Sequence, residues 1–256
     1  MRRSGRSETA PVGLPGIQWK RRKVMPNFRT ALTISNTIPG GKFHDLIFET
    51  QESFDSRPGQ YVSIKVAESQ INNYSVASRL GSNRFALMID TSPGGAGSRY
   101  FEALKAGENI QFLGPLGKFS LHPDDGAERL LFLGTGSGVS PLRCMIESVL
   151  AEGGKRLPVA LYFGLRFRTD IFWDEYFSAL AARYANFSYK LSLSRPDEAW
   201  HGLTGHITDR LTLDIQDAGG YGVYLCGNGG MIKQATEVLV SLGCPKTRIY
   251  TEKFFD

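Results

Sequence analysis

The chain has 256 residues, 41% of them hydrophobic, with 16 Phe and 10 Tyr, which predicts one or two domains with a substantial core. Its net charge of +5 comes from residues 1–27, where seven Arg and Lys stand against one Glu, so the rest is close to neutral and nucleic-acid binding is not expected. No apolar run approaches the roughly 18 residues of a membrane-spanning helix, so no membrane span is expected.

The basic segment at residues 1–27 shows no helical or strand period and is interrupted by Gly and Pro. We expect a disordered leader here, or a true start at Met25. A docking or targeting arm is the alternative, because Arg- and Ser-rich, acid-poor leaders resemble transit peptides in composition.

The three cysteines, Cys144, Cys226 and Cys244, are too few and too widely separated for a four-thiolate iron–sulfur or zinc site. The four histidines show no ligand spacing, so no metal is expected. An odd cysteine count without a secretory signal favours a reducing compartment, and we expect the protein in the cytoplasm.

Residues 28–125 carry the pattern of β-strands. Short alternating or β-rich runs are separated by Gly, Pro, Asn and Ser: "FRTALTISNTI", "HDLIFET", "QYVSIKV", "RFALMID" and "ENIQFLG". Only "SRYFEALKA" indicates a helix. Several strands at short spacing predict a small antiparallel barrel or sandwich.

From residue 126 onward, strands alternate with helices. The predicted strands are "RLLFLG", "PVALYFG", "SYKLSLS", "GVYLCG" and "RIYTEKFF", and the predicted helices are "LRCMIESVLAEG", "DIFWDEYFSALAARY", "TGHITDRLTLDI" and "GMIKQATEVLVSLG". This alternation predicts an α/β domain with a doubly wound parallel sheet. We place the domain boundary near "HPDDGAE".

Two glycine loops lie where strands of this sheet end, the position at which open parallel sheets bind ligands. In "LFLGTGSGVSPL", Gly134, Gly136 and Gly138 would let backbone N–H groups approach an anion at a helix N-terminus. Val139 takes the last glycine position of the full dinucleotide fingerprint, so turn-forming glycines remain an alternative. Together with "YLCGNGGMIK", this loop would form the floor of a dinucleotide site.

Cys226 lies in the second loop, at the predicted end of its strand, where we expect it to face the rim of the crevice. The alternative is a small buried hydrophobic residue, the usual role of a lone cysteine.

A third cradle lies in the strand-rich half, in "SPGGAGSRYF", where glycines and Ser98 precede a short helix. An ordinary loop between strand and helix is the alternative. Anion cradles in both halves indicate two nucleotides that meet at the domain interface.

Over residues 28–256, a series of motifs in order resembles the ferredoxin–NADP reductase superfamily, most closely the bacterial ferredoxin/flavodoxin–NADP reductases. The motifs are "RPGQYVSI", "NNYSVAS", "GGAGS", "LKAGENIQFLGPLGKF", "GTGSGVSP", "SRP", "LTGHI", "CGNGGM" and the terminal "EKFF". The resemblance implies two domains: an FAD-binding antiparallel β-barrel at residues 28–125, and an NAD(P)-binding α/β domain at residues 126–256.

The resemblance also implies roles for single residues. Tyr74 would pack on the flavin ring, Ser75 would hydrogen-bond near flavin N5, and Cys226 would lie beside the nicotinamide. Glu252 would approach the flavin site, and Phe254, or Phe255 instead, would cover the flavin face. The remaining residues expected to bind FAD or nicotinamide nucleotide are Asn72, Val76, Gly95, Ala96, Gly97, Ser98, Arg99, Thr135, Gly136, Gly138, Pro141, Arg166, Arg195, Gly227 and Met231.

The implied reaction is hydride transfer from NADPH to N5 of FAD, followed by single-electron transfer to ferredoxin or flavodoxin. Arg166 and Arg195 match positions that bind the 2′-phosphate of NADP in relatives, and His206 matches a third basic position. NADPH is therefore favoured over NADH. Without a cysteine cluster, the electron partner should be a separate protein, and we expect a monomer.

Two alternatives remain open: an NADH-dependent reductase component of an oxygenase, and a non-catalytic electron-transfer or nucleotide-sensing subunit with the same fold. The sequence also departs from the family at Asn72, where relatives usually have an arginine that helps neutralise the FAD pyrophosphate. Arg99 is our first candidate to replace that charge, and Arg79 is the second.

Overall fold

The first half of the chain forms a closed antiparallel barrel with the strand order β1-β2-β5-β4-β3-β6. The computed structural model describes residues 27–151 and 157–255, so the predicted leader lies outside the described residues except for Asn27. The strands are β1 (Arg29–Gly40), β2 (Phe43–Thr50), β3 (Tyr61–Ala67), β4 (Gln70–Arg79), β5 (Arg84–Asp90) and β6 (Asn109–Leu116). Helix α1 (Ala96–Ala103) connects β5 to β6. The predicted antiparallel barrel is confirmed.

The second half forms a parallel sheet of six strands in the order β10-β9-β8-β7-β11-β12. Its elements are β7 (Arg129–Thr135), α2 (Val139–Ala151), β8 (Val159–Leu165), α3 (Asp174–Arg183), β9 (Phe187–Leu193), β10 (Leu203–Thr204), α4 (Asp209–Asp214), β11 (Tyr221–Asn228), α5 (Gly229–Ser241) and β12 (Ile249–Phe255). The strand order reverses between β7 and β11, which confirms the doubly wound sheet and creates a crevice at their carboxyl ends.

One predicted helix is shorter than expected. The segment "TGHITDRLTLDI" was predicted as helical throughout, but Thr204 pairs with Leu193 in the sheet and Gly205 has a φ of 94°. Because that backbone conformation ends a strand in a turn, only Asp209–Asp214 remain helical.

The two halves share part of their core. Phe43 and Met88 of the barrel belong to the same buried cluster as Phe163 and Phe172 of the sheet domain. The rings of Phe43 and Phe172 lie 4.5 Å apart between centroids. The chain passes between the halves after β6 and before β7; our division at residue 125 lies in that connection and stays a prediction.

Among the described residues, no helix has the length and apolar character that crossing a membrane would require.

Candidate cofactor-binding site

A cleft with a volume of about 1030 Å³ separates the barrel from the carboxyl ends of the parallel strands. Its size is that of a site for large ligands. Of the residues predicted to bind cofactors, the cleft is lined by Tyr74, Ser75, Thr135, Gly136, Arg166, Met231, Glu252 and Phe254. Both halves of the chain therefore contribute predicted residues to one cavity.

Ser75 and Glu252 meet on the floor of this cleft, although 177 positions separate them in the chain. The Ser75 hydroxyl donates a hydrogen bond to Glu252 Oε2 at 3.3 Å, which joins β4 of the barrel to β12 of the sheet. Burial raises the pKa of Glu252 from its ordinary 4.5 to about 7, and the hydrogen bond from Ser75 opposes that shift only in part. Glu252 can thus hold or release a proton near neutral pH.

Tyr74 is held from two sides. Its hydroxyl accepts a hydrogen bond from Asn72 Nδ2 at 3.2 Å, and its ring meets Phe101 edge to face at 4.9 Å between centroids. Burial raises the pKa of Tyr74, so the hydroxyl stays protonated. A fixed ring beside Ser75 fits the predicted flavin-stacking role.

The sequence predicts that Cys226 faces the rim of the crevice, but the structure buries it. Strand β11 continues two residues further, to Asn228, so Cys226 is enclosed by the sheet and its exposed fraction is 0%. Its backbone partner in β12 is Glu252. Burial, reinforced by the negative charge of Glu252, raises the pKa of the Cys226 thiol well above its usual range. The thiol is therefore protonated and belongs to the core.

The N-terminus of α1 fits the predicted diphosphate cradle. Within the described part of the chain, no side chain caps this helix, and its first amides have no helical partner. A Cβ at Gly94 or Gly95 would meet no described atom within 4 Å, so the backbone there is open to a ligand. A Cβ at Gly97 would clash with the Tyr74 hydroxyl, so glycine is required where β4 approaches the helix. The residues present thus suit the phosphates of FAD.

Arg99 lies at this cradle, and its guanidinium donates to the carbonyl of Gly94 at 2.7 Å. Arg79 instead donates to the carbonyl of Ser56 at the far end of β4, which leaves Arg99 as the better placed cation.

We expect Arg99→Ala to weaken FAD binding roughly tenfold to a hundredfold, or about 1–3 kcal/mol, because a charge-assisted contact is lost where Asn72 provides no charge. Isothermal titration of the flavin-free chain with FAD measures this change. Arg79→Ala is the matched control and should bind FAD as the parent does. Equal affinities for the parent and Arg99→Ala would contradict the role of Arg99.

The two glycine loops of the sheet domain are joined at the cleft. Thr135 Oγ1 accepts a hydrogen bond from the backbone N–H of Asn228 at 3.1 Å. Gly227 has a φ of 132°, and a Cβ there would clash with the Thr135 hydroxyl. Gly136 has a φ of 55° and lines the cleft. Gly227 thus allows the two loops to pack together, while Gly136 of the first loop and Asn228 and Gly230 of the second line the cleft, where a nucleotide could reach them.

Three residues predicted to contact the cofactors are buried in the structure, and their contacts stay predictions. A Cβ at Gly138 would lie 2.6 Å from the Cys226 carbonyl oxygen, so this glycine permits close packing on β11. Pro141 is buried in the first turn of α2, where its missing N–H costs nothing. Val76 is 0% exposed and belongs to the barrel core.

Basic side chains gather where β8 and β9 end. Arg166 and His206 line the cleft, beside Ser194. Arg195 does not line it, but its backbone N–H donates to the Arg166 carbonyl at 2.8 Å, which places it next to Arg166. Arg166 and Arg195 are both exposed. This cluster suits the 2′-phosphate of NADP better than a bare ribose hydroxyl.

Several residues that line the cleft have no role predicted from the sequence, namely Lys42, Phe43, Tyr61, Asp170 and Gln234. Tyr61 lies in "RPGQYVSI", and it pairs with Ser75 across strands β3 and β4. A correct pairing of these two strands would have placed Tyr61 at the cleft. Lys42 reaches the cleft from the turn between β1 and β2, and Asp170 from a short 3₁₀ helix, and neither carries a local sequence signal.

Both halves of the chain match known domain families. Residues 41–121 match the oxidoreductase FAD-binding domain, and residues 132–237 match the oxidoreductase NAD-binding domain. By these matches the chain consists of an oxidoreductase FAD-binding domain followed by an oxidoreductase NAD-binding domain.

The chain belongs to the ferredoxin–NADP reductase superfamily. It is 34% identical to ferredoxin–NADP reductase B of Sorangium cellulosum over 71% of this chain and 77% of that one. It is 32% identical to the toluate 1,2-dioxygenase electron transfer component of Pseudomonas putida over 87% of this chain and 63% of that one. The chain thus spans about three fifths of the length of that relative, and 60% of a naphthalene 1,2-dioxygenase/salicylate 5-hydroxylase reductase component from Ralstonia sp..

Solved structures show the same fold. The Amycolatopsis cytochrome P450 reductase GcoB aligns with a TM-score of 0.82 and 26% identity over 90% of this chain and 70% of that one. A ferredoxin NADP⁺ reductase from Neisseria gonorrhoeae aligns with a TM-score of 0.74 and 18% identity, over 89% of this chain and 98% of that one.

Proposed function

We propose that this chain is an FAD-dependent reductase that takes electrons from NADPH and passes them singly to a separate carrier protein such as ferredoxin or flavodoxin. The observation that carries the proposal is the Ser75–Glu252 hydrogen bond beside Tyr74, on the floor of a cleft between the two domains. Bound FAD would supply the exchange between two-electron and one-electron chemistry, which no side chain can provide.

The chain's own residues would bind the flavin, orient a hydroxyl at its reacting edge and shield the ring from water. Tyr74 would hold the flavin ring, and the open amides at the start of α1 would bind its phosphates. Ser75 would present its hydroxyl to the reacting edge, while Glu252 holds or releases the proton that orients that hydroxyl. Phe254 and Phe255, 36% and 43% exposed, would cover the ring and exclude water until a nicotinamide takes their place.

A second candidate is an NADH-dependent reductase component of an oxygenase. It is supported by relatives whose names describe them as electron transfer components of toluate and anthranilate 1,2-dioxygenases, at 32% and 30% identity.

The deciding experiment uses the purified chain. A flavin spectrum and anaerobic bleaching by NADPH faster than by NADH would support the first candidate; preference for NADH would support the second. A chain that binds no flavin would contradict both and favour a non-catalytic subunit. Addition of an oxidised ferredoxin or flavodoxin then tests electron transfer. We further infer a cytoplasmic protein, since its three cysteines are buried and unpaired. The monomeric state stays a prediction.

We expect Arg166→Ala to lower kcat/KM for NADPH roughly tenfold to a hundredfold and to leave NADH almost unaffected, because the lost guanidinium would bind only the 2′-phosphate. Steady-state kinetics with an artificial electron acceptor measures both values. Arg168→Ala is the matched control, because Arg168 is also exposed but is paired with Asp197 at 2.9 Å. An equal loss with both nucleotides would contradict this role.

A further inference from the structure

A polar cluster away from the cleft joins the two domains through Glu147 of α2. Its carboxylate accepts three hydrogen bonds: from Ser78 Oγ at 2.6 Å, from Arg143 Nε at 2.8 Å and from Tyr176 Oη at 2.6 Å. Ser78 belongs to barrel strand β4 and is 2% exposed, whereas the other donors belong to the sheet domain. The Ser78–Glu147 hydrogen bond therefore crosses the domain interface in a buried setting.

A second polar link crosses the interface at Trp173. Its indole N–H donates to Asp45 Oδ2 in barrel strand β2 at 2.8 Å. The guanidinium carbon of Arg143 lies 4.3 Å from the ring centroids of both Trp173 and Tyr176. Because Arg143 also binds Glu147, the two crossing hydrogen bonds belong to one connected network.

Trp173 has an unusual backbone conformation. With a φ of 56° it is the only residue other than glycine, among those described, in the left-handed region. Bulky residues are outliers in that region and persist there only where their surroundings fix them. The preceding carbonyls pack against the barrel: a Cβ at Gly40 would lie 2.5 Å from the Ile171 oxygen. The strained turn is thus located where the domains meet.

Phe43 against Phe172 forms an apolar contact between the domains, and the Ser75–Glu252 hydrogen bond crosses the interface separately, at the cleft. Apolar contact holds surfaces together but is non-directional, whereas hydrogen bonds require defined angles. Away from the cleft, the Ser78–Glu147 and Trp173–Asp45 hydrogen bonds therefore add what the aromatic contact lacks, a defined direction between the domains.

We propose that Asp45, Ser78, Arg143, Glu147, Trp173 and Tyr176 form an interdomain latch, a set of positioning residues that fixes the orientation of the nucleotide domain on the FAD barrel. The catalytic part of this inference rests on the proposed function. The latch touches neither Tyr74, Ser75 nor Glu252 in the structure. It would act by holding the two walls of the cleft at the separation at which both cofactors meet.

The orientation can be measured without any reaction. The native cysteines are buried, so spin labels would attach to Ile38→Cys in the barrel and Leu213→Cys in α4, sites whose native side chains are 58% and 69% exposed. Pulsed electron spin resonance then gives the distance distribution between the labels. When the same labels are placed in the Ser78→Ala/Trp173→Phe double variant, we expect the distance distribution to become roughly twice as wide as in the parent, because loosely joined domains move relative to each other. Tyr162→Phe, which removes a 3.0 Å bond to Asp214 inside one domain, should keep the parent width.

The second readout is flavin reduction at saturating NADPH in the unlabelled, FAD-loaded double variant. We expect a rate about tenfold lower, with the FAD content and the Kd for NADP⁺ close to parent values, because misplacement lowers the rate more than binding. Asp45→Asn keeps a carbonyl acceptor for Trp173 and should behave as the parent. An unchanged distance distribution would overturn the latch, and so would a broadened distribution with an undiminished rate. If the parent itself reacts with neither nucleotide, the proposed function fails, while the distance distribution still decides the latch.

Discussion

Replacing Ser75 with alanine is expected to slow reduction of the bound flavin by NADPH about a hundredfold and to leave FAD affinity almost unchanged. Ser75 is 6% exposed on the cleft floor, and its hydroxyl is held by Glu252. Removing the hydroxyl leaves the backbone of β4 and the ring of Tyr74 in place. The lost contribution is therefore orientation at the reacting edge rather than binding. Stopped-flow absorbance at saturating NADPH measures the rate.

Two further variants make this test specific. Ser75→Thr keeps a hydroxyl at the same carbon and should retain most of the rate. Ser56→Ala removes another buried barrel hydroxyl, one that has no hydrogen-bond partner among the described residues, and should react as the parent does. A Ser75→Ala variant as fast as the parent would show that the Ser75–Glu252 pair has no part in the reaction.

The sequence predicted the barrel but not the strand that carries Tyr74 and Ser75. Strand β4 begins with polar residues, including Asn72 and Asn73, which are depleted in strands, and then buries Ser75 through Ser78 consecutively. That pattern lacks the alternation by which the other five strands were predicted. Its strand character comes from pairing with β3 and β5 in a closed barrel, which is a tertiary effect.

Glycine and cysteine were the residues whose roles the sequence could not decide. A glycine that opens its backbone to a ligand and one that allows two backbones to touch look alike in a motif, as Gly136 and Gly138 do. Cys226 was predicted at the end of its strand, but β11 extends two residues further and encloses it, which the sequence did not show. The Ser75–Glu252 contact was accessible only through the family resemblance. The latch residues come from separate elements with no shared local pattern, so no sequence signal marked them.

Glu252→Gln is expected to change how stability depends on pH. The pKa of Glu252 in the folded chain, about 7, exceeds its ordinary 4.5, so the folded state binds the proton more tightly than the unfolded state does. This contribution to stability is complete below pH 4.5 and is lost as the pH rises through 7. Between pH 5 and pH 8 the parent should lose about 2–3 kcal/mol of unfolding free energy relative to Glu252→Gln. Urea unfolding of the flavin-free chain measures this difference, with Glu237→Gln, at an exposed position of α5, as the control.

The protonation state of Glu252 should also set the direction in which the Ser75 hydroxyl points. Protonated Glu252 can donate to Ser75 Oγ and leave the serine hydrogen free to point into the cleft, whereas ionised Glu252 accepts that hydrogen and turns it away. The rate of flavin reduction in the parent should therefore fall as the pH rises through about 7. Glu252→Gln always carries a donor, so its rate should stay near the low-pH value of the parent at every pH. A parent profile that is flat from pH 5 to pH 9, or a Gln variant with the same break as the parent, would rule out this role for Glu252.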